Sequence, residues 1–135
     1  MSQSVGLRGS LAGLSILVVD DTIDSLEMLT LLLQLYGASV TSAGSAQEAL
    51  ELYERQNFDV VISDIGMPVE DGYALIRKLR SIEAEREIAP VPAVALTGYA
   101  EYADRNRAID AGFQDHLRKP VEADRLMSII TKLVR

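Results

Sequence analysis

Apolar residues fall along this chain in short runs of two kinds. Ile16-Leu17-Val18-Val19 is a continuous aliphatic, partly β-branched run, the pattern of a strand buried on both faces. Leu26, Leu29, Leu33 and Tyr36 then recur at helical spacing; Thr22 stands where a cap is expected and Gly37 supplies the stop. Ala38 to Ser42 reads as a short strand. Ser45 with Glu48 forms a capping box ahead of Ala49, Leu50, Leu52 and Tyr53. Asp59-Val60-Val61-Ile62-Ser63 is a third strand, ending at Asp64. Asp71-Gly72 opens a helix carrying Leu75, Ile76 and Leu79.

The charged and then Pro-punctuated segment from Ser81 to Pro92 reads as a loop, with Glu83, Glu85, Arg86 and Glu87 as solvated charges. Ala93 to Leu96 is a fourth strand. A helix is expected from about Glu101 to Ala111, with Gly112 as its stop. A fifth strand lies within Phe113 to Arg118, and a last helix runs from Glu122 to Val134 with Leu126, Ile129, Ile130 and Leu133 on one face. Strand and helix thus alternate five times. Strict alternation with apolar strands predicts an α/β fold, a parallel sheet covered by helices on both faces and right-handed crossovers. Met1 to Ser10 is polar and contains Gly and Ser, and residues 1–13 are read as a tail or linker before a domain over 14–135.

Composition narrows the chemistry. At 135 residues, 48% of them apolar, the chain is one domain's worth of sequence. Its net charge of −7, from 13 Lys and Arg against 20 Asp and Glu, argues against a nucleic-acid partner and against an anionic membrane surface. With no Cys, disulfides, thiolate metal sites and thiol catalysis are excluded; with one His, so is a His-rich metal site. No run approaches the ~20 apolar residues of a membrane span. Leu11 to Val19 is too short and too weakly flanked for a signal peptide, so the chain reads as cytoplasmic.

Three acids stand where predicted strands end: Asp20 and Asp21 after the first, Asp64 after the third. Thr97 and Lys119 follow the fourth and fifth. In open parallel sheets, ligands bind outside the carboxyl ends of the strands. Three converging carboxylates repel one another, and a hard divalent cation relieves this. Mg²⁺ accepts one or two carboxylates and keeps several waters. With Lys119 it would offset charge on a transferring phosphoryl group, Thr97 would donate to a phosphoryl oxygen, and one carboxylate would serve as nucleophile. Taken singly, each residue has a plainer reading: Asp64 as a polar strand end, Asp20-Asp21 as acids favoured at a helix N-terminus, Thr97 as a turn residue before Gly98, Lys119 as a solvated surface group.

Together these motifs resemble a known family. Val18-Val19-Asp20-Asp21, Ser63-Asp64-Ile65-Gly66-Met67-Pro68 with Asp71-Gly72, Leu96-Thr97-Gly98 and Lys119-Pro120 look like the receiver domain of two-component response regulators, over about residues 14 to 135. The entry through Leu11-Ala12-Gly13-Leu14 is similar to linkers before the receiver modules of hybrid histidine kinases. The resemblance implies a flavodoxin-like three-layer α/β/α sandwich with strand order 2-1-3-4-5. It implies that Asp64 accepts a phosphoryl group from the phosphohistidine of a histidine kinase or phosphotransfer domain. It implies Mg²⁺, or Mn²⁺ in its place, held by Asp20, Asp21, Asp64 and the Gly66 backbone carbonyl, with Lys119 and Thr97 on the phosphoryl oxygens and a Lys119–Pro120 bond that is often cis. The domain would be a switch rather than an enzyme acting on a separate substrate. Its output face would be the fourth helix, fifth strand and fifth helix, contacting a downstream protein or a second copy. With no length after Arg135 for an output domain, the chain is expected either to act by protein–protein contact or to be a piece cut from a longer protein.

His116 departs from the family, which often carries Phe or Tyr there as a switch partner of the Thr. It reads either as a switch with an added pH dependence or as a strand His with no signalling role. Met67-Pro68 and Gly72 read as shaping the loop; Gly66, Gly98 and Tyr99 flank the site. Three rivals compete. A phosphohydrolase of haloacid-dehalogenase type needs a second Asp where Gly66 stands. A flavodoxin-type flavin carrier meets acid where its phosphate cradle should be. A phosphorylation-independent interaction module with the receiver fold would be expected to have lost an acid or the Lys.

Overall fold

The computed structural model describes residues 9–67, 69–98 and 105–134. Within them the chain runs β1 (Ser15–Val19), α1 (Ile23–Leu35), β2 (Ser39–Ala43), α2 (Ala46–Arg55), β3 (Val60–Asp64), α3 (Gly72–Arg86), β4 (Ala93–Thr97), α4 (Arg105–Ala111), β5 (Asp115–Arg118) and α5 (Ala123–Leu133). The strands form one parallel sheet in the order β2-β1-β3-β4-β5, the order of the flavodoxin-like receiver fold. Pro68, Tyr99, the expected start of the fourth helix at residues 101–104 and residues 1–8 of the expected tail lie outside the described residues.

The three inner strands β1, β3 and β4 are mostly apolar and buried because both their faces are covered, whereas the edge strands β2 and β5 carry polar residues. Leu17, Val19, Val61, Ala93 and Ala95 point to one side, where α2, α3 and α4 bury Ala49, Tyr53, Leu75, Ile76, Leu79 and Ala108. Ile16, Val18, Val60, Ile62, Val94, Leu96 and Leu117 point to the other, against Leu29 and Leu33 of α1 and Leu126, Met127 and Ile130 of α5. Leu11, expected in the tail, is fully buried in this second core, and its N–H donates to the Tyr36 carbonyl over 3.0 Å. Gly37 ends α1 at φ 101°, a left-handed conformation that suits glycine.

Ser45 caps α2 as expected: its hydroxyl accepts from the Glu48 N–H, while Glu48 Oε1 reaches past Ser45 to the Gly44 N–H at 2.8 Å. Thr22 does occupy the N-cap of α1, but its side chain makes no capping bond. The expected loop from Ser81 is a correction: α3 continues to Arg86, and only Glu87, which is left-handed, opens the loop to β4. Glu83 is therefore no solvated charge. It is 2% exposed, and its carboxylate accepts from the Tyr53 hydroxyl at 2.6 Å, the Val91 N–H at 2.8 Å and Arg80 at 2.8 Å. A buried carboxylate is tolerable only when its oxygens are satisfied in this way. Burial and the neighbouring Glu83 push the Tyr53 hydroxyl well above its usual range.

Candidate functional site

Parallel strands place their C-terminal ends at one edge, and the register sets which residues meet there. Val19 pairs with Ser63 and Ala43, Asp64 with Leu96, and Thr97 with Arg118. Asp20, Asp64, Thr97 and Lys119 consequently emerge side by side, where strand order reverses between β1 and β3. Asp20 is fully buried, Asp64 nearly so, and Asp21 is exposed. Carboxylate oxygens of all three lie within 4.8 Å of one another.

Lys119 Nζ lies 3.2 Å from Asp20 Oδ2 and 3.5 Å from Asp64 Oδ1. Its backbone N–H donates to the Thr97 carbonyl over 2.7 Å, which ties the end of β5 to the end of β4. The Lys119–Pro120 bond is cis. The Thr22 N–H donates to Asp20 Oδ1 at 2.9 Å, so the backbone of Thr22, not its side chain, serves this end of α1. The Gly66 N–H donates to Asp64 Oδ1 at 3.3 Å. Burial raises the Asp64 carboxyl above the usual carboxylate range. Lys119 opposes this, Asp20 adds to it, the Gly66 N–H opposes it and Asp21 adds to it.

Among the described residues, three carboxylates face one ammonium, so the cluster carries a formal excess of negative charge, and no ring nitrogen or sulfur joins it. An all-oxygen donor set with one exposed member suits a hard divalent cation that keeps part of its water shell. Beside it, Thr97 is fully buried and its hydroxyl has no partner among the described residues. Such a hydroxyl calls for a ligand or a second conformation.

His116 sits on β5 outside this cluster. It lines a cleft with Arg105, Asp115, Asp124, Arg125, Ser128 and Ile129, and its buried Nδ1 has no partner among the described residues. Burial lowers its pKa below the usual imidazole range. Arg105 lowers it further, Asp115 opposes this and Arg125 adds to it.

The profile of the response regulator receiver domain family matches residues 16–131. The chain belongs to that family. It is 41% identical over 121 residues to an uncharacterized 14.6 kDa protein in the sodA1 3′ region of Leptolyngbya boryana, with 90% of each chain covered. It is 32% identical over 117 residues to the sensor histidine kinase GacS of Pseudomonas protegens, covering 87% of this chain but 13% of that one. Among solved structures, the co-crystal of the Saccharomyces cerevisiae phosphotransfer protein Ypd1 with the Ssk1 receiver domain contains a chain that matches with a TM-score of 0.84. That match has 26% identity and covers 91% of this chain and 90% of that one. Relatives of this receiver thus include a segment of a much longer kinase and a protein of its own size. Among the described residues, no helix is long and apolar enough to cross a membrane.

Two features of the receiver's site escaped the sequence reading. The Thr22 backbone N–H on Asp20 carries no side-chain signature. The contact between Gly72 and the backbone of Asp64 is visible only in three dimensions.

Proposed function

We propose that this receiver is the phosphoacceptor switch of a two-component phosphorelay, with Asp64 as the acceptor. An Asp64 carboxylate oxygen attacks the phosphorus of a phosphohistidine on a histidine kinase or phosphotransfer domain. The P–N bond breaks, the imidazole leaves with the bonding pair and takes up a proton, and Asp64 becomes an acyl phosphate. Asp20, Asp21, Asp64 and the Gly66 backbone carbonyl would hold Mg²⁺, or Mn²⁺ in its place, which when bound supplies charge neutralisation for the phosphoryl oxygens. Lys119, already beside Asp20 and Asp64, supplies the second positive charge.

The observation that carries this reading is the Thr97 hydroxyl: fully buried, without a partner among the described residues, and at the same sheet edge as the acid cluster. A phosphoryl oxygen on Asp64 gives it an acceptor. Thr97 and Lys119 then bind the phosphorylated state better than the free one, and that difference in affinity shifts the population between two conformations. His116, on the strand next to that of Thr97 and with a ring nitrogen that has no partner among the described residues, is the second switch residue. The shift is read on the face formed by α4, β5 and α5 by a downstream protein or a second copy, with no nucleic-acid or membrane contact, in the cytoplasm. The domain catalyses only its own phosphoryl transfer and hydrolysis. The test is to treat the chain with Mg²⁺ and a small phosphodonor, reduce the acyl phosphate with borohydride, and map the modified peptide. Reduction at Asp64 is expected; reduction at another carboxylate, or none, overturns the assignment.

A further inference from the structure

Gly72 is the first residue of α3, and its N–H donates to the Ile65 carbonyl over 3.0 Å. It is buried against the strand end that carries Asp64. A Cβ built there would lie 2.5 Å from the Asp64 carbonyl oxygen and 2.9 Å from Ile65 Cα. Both neighbours are backbone, so neither can swing aside as a flexible side chain would. Gly72 is not among the glycines with a positive φ, so the close approach, not the backbone conformation, explains glycine here.

What gives way is set by what each side is packed into. Behind Gly72, Tyr73, Leu75, Ile76 and Leu79 are at most 2% exposed, and they lock α3 into the core. In front, β3 ends at Asp64 and only the loop through Gly66 and Met67 follows before the helix. Ile65 is itself 2% exposed in the same core; its N–H bonds the Leu96 carbonyl, and its own carbonyl accepts from both Met67 and Gly72. A Cβ at Gly72 would thus press two packed surfaces together, and on the strand side the room to shift lies toward exposed Gly66, next to the segment that carries the acceptor carboxylate.

We propose that Gly72 is a positioning residue: its missing side chain lets α3 seat directly on the Asp64–Ile65 backbone and so fixes the Asp64 carboxylate and Gly66 relative to Asp20 and Lys119. The proposal rests on the phosphoacceptor reading for its rate and on the acid cluster alone for its metal affinity. A misplacement of roughly 1 Å in a reacting group can cost on the order of a hundredfold in rate.

The experiment compares the full chain with Gly72→Ala and Asp71→Ala. Asp71 caps the same helix through the Ala74 N–H at 2.9 Å, so its loss loosens the start of α3 without adding a Cβ at Gly72. Two readouts are taken below the melting temperature of each: Mg²⁺ affinity, from amide shifts on titration with MgCl₂, and the rate of phosphorylation by acetyl phosphate. Asp71→Ala is expected to melt lower and otherwise to behave as the parent. Gly72→Ala is expected to stay folded, bind Mg²⁺ more weakly and take up phosphate about a hundredfold more slowly. Parental Mg²⁺ affinity and rate in Gly72→Ala would overturn the proposal. Should that variant be unfolded, the measurements are repeated in trimethylamine N-oxide, which favours the compact state; failure to fold there too would overturn it, because the residue would then serve the whole fold. If the parent itself takes no phosphate, the phosphoacceptor reading fails, and the Mg²⁺ comparison still decides on Gly72.

Discussion

The Lys119 ammonium stands 3.5 Å from Asp64 Oδ1, and it is the strongest influence holding the Asp64 carboxyl down against its burial. The same nitrogen is 3.2 Å from fully buried Asp20. One cation thus serves two buried acids, beside the Thr22 N–H on Asp20 and the Gly66 N–H on Asp64.

Replacing Lys119 by Ala is therefore expected to destabilise the metal-free fold at neutral pH by about 1–3 kcal/mol, the cost of leaving a buried charged partner unsatisfied. Urea unfolding with and without Mg²⁺ checks this. The divalent cation should recover more stability in the variant than in the parent, and equal recovery would contradict the account.

Asp64→Asn should raise the melting temperature of the metal-free protein at pH 7. The Asp64 carboxyl is raised above its usual value, so its protonated form favours the fold and its ionisation works against it. The stability it lends is present below the ordinary carboxylate range and is lost as pH rises through the raised value. Hence the gain from Asn shrinks as pH falls toward about 4. Melting curves across pH test the sign, and a variant less stable than the parent at pH 7 without metal would refute it.

His116 gives the opposite slope. Its pKa is lowered, so the fold resists its protonation, and the stability it lends above the ordinary imidazole value of about 6.5 fades as pH falls through and below it. Arg105, Asp115, Asp124 and Arg125 line the cleft around it, with Asp115 alone shown to favour the charged form. Substitution by Phe should flatten the dependence of stability on pH between roughly 5 and 7. An unchanged slope would place the proton uptake elsewhere.

Glu83 makes the sharpest stability test away from the site. Ala at this position strands the Tyr53 hydroxyl, the Val91 N–H and Arg80, and should cost about 3–5 kcal/mol. Tyr53→Phe removes one donor of three and should cost about 1–2 kcal/mol. Phosphate uptake at Asp64, at the far end of the strands, should survive both changes when measured on folded protein. Chemical denaturation supplies the energies.

Glu83 also shows where sequence reasoning stops. The apolar strands and the acids at their ends announce the layered sheet and the cluster of Asp20, Asp21 and Asp64, because burial on both faces and chemistry at strand ends each leave a local pattern. Glu83 sits in a run with Glu85, Arg86 and Glu87 that reads as solvated. The helical period through Ile76 and Leu79 continues onto position 83, which was the available signal, but its partners come from residues 53 and 91, remote in sequence. Leu11 is one apolar residue in a polar, Gly-containing stretch, and only the Tyr36 carbonyl and the second core reveal its place. Thr22 fits the cap pattern by residue type, yet its backbone N–H takes Asp20 and its side chain caps nothing.

The most direct test of the central claim is intact-mass spectrometry after incubation with acetyl phosphate and Mg²⁺, run beside Asp64→Asn and a chelator control. The account predicts a gain of one phosphoryl group in the parent and none in either control. An unchanged mass in the parent, with a phosphohistidine donor as well as with acetyl phosphate, would contradict it, as would a phosphoryl group that persists in Asp64→Asn.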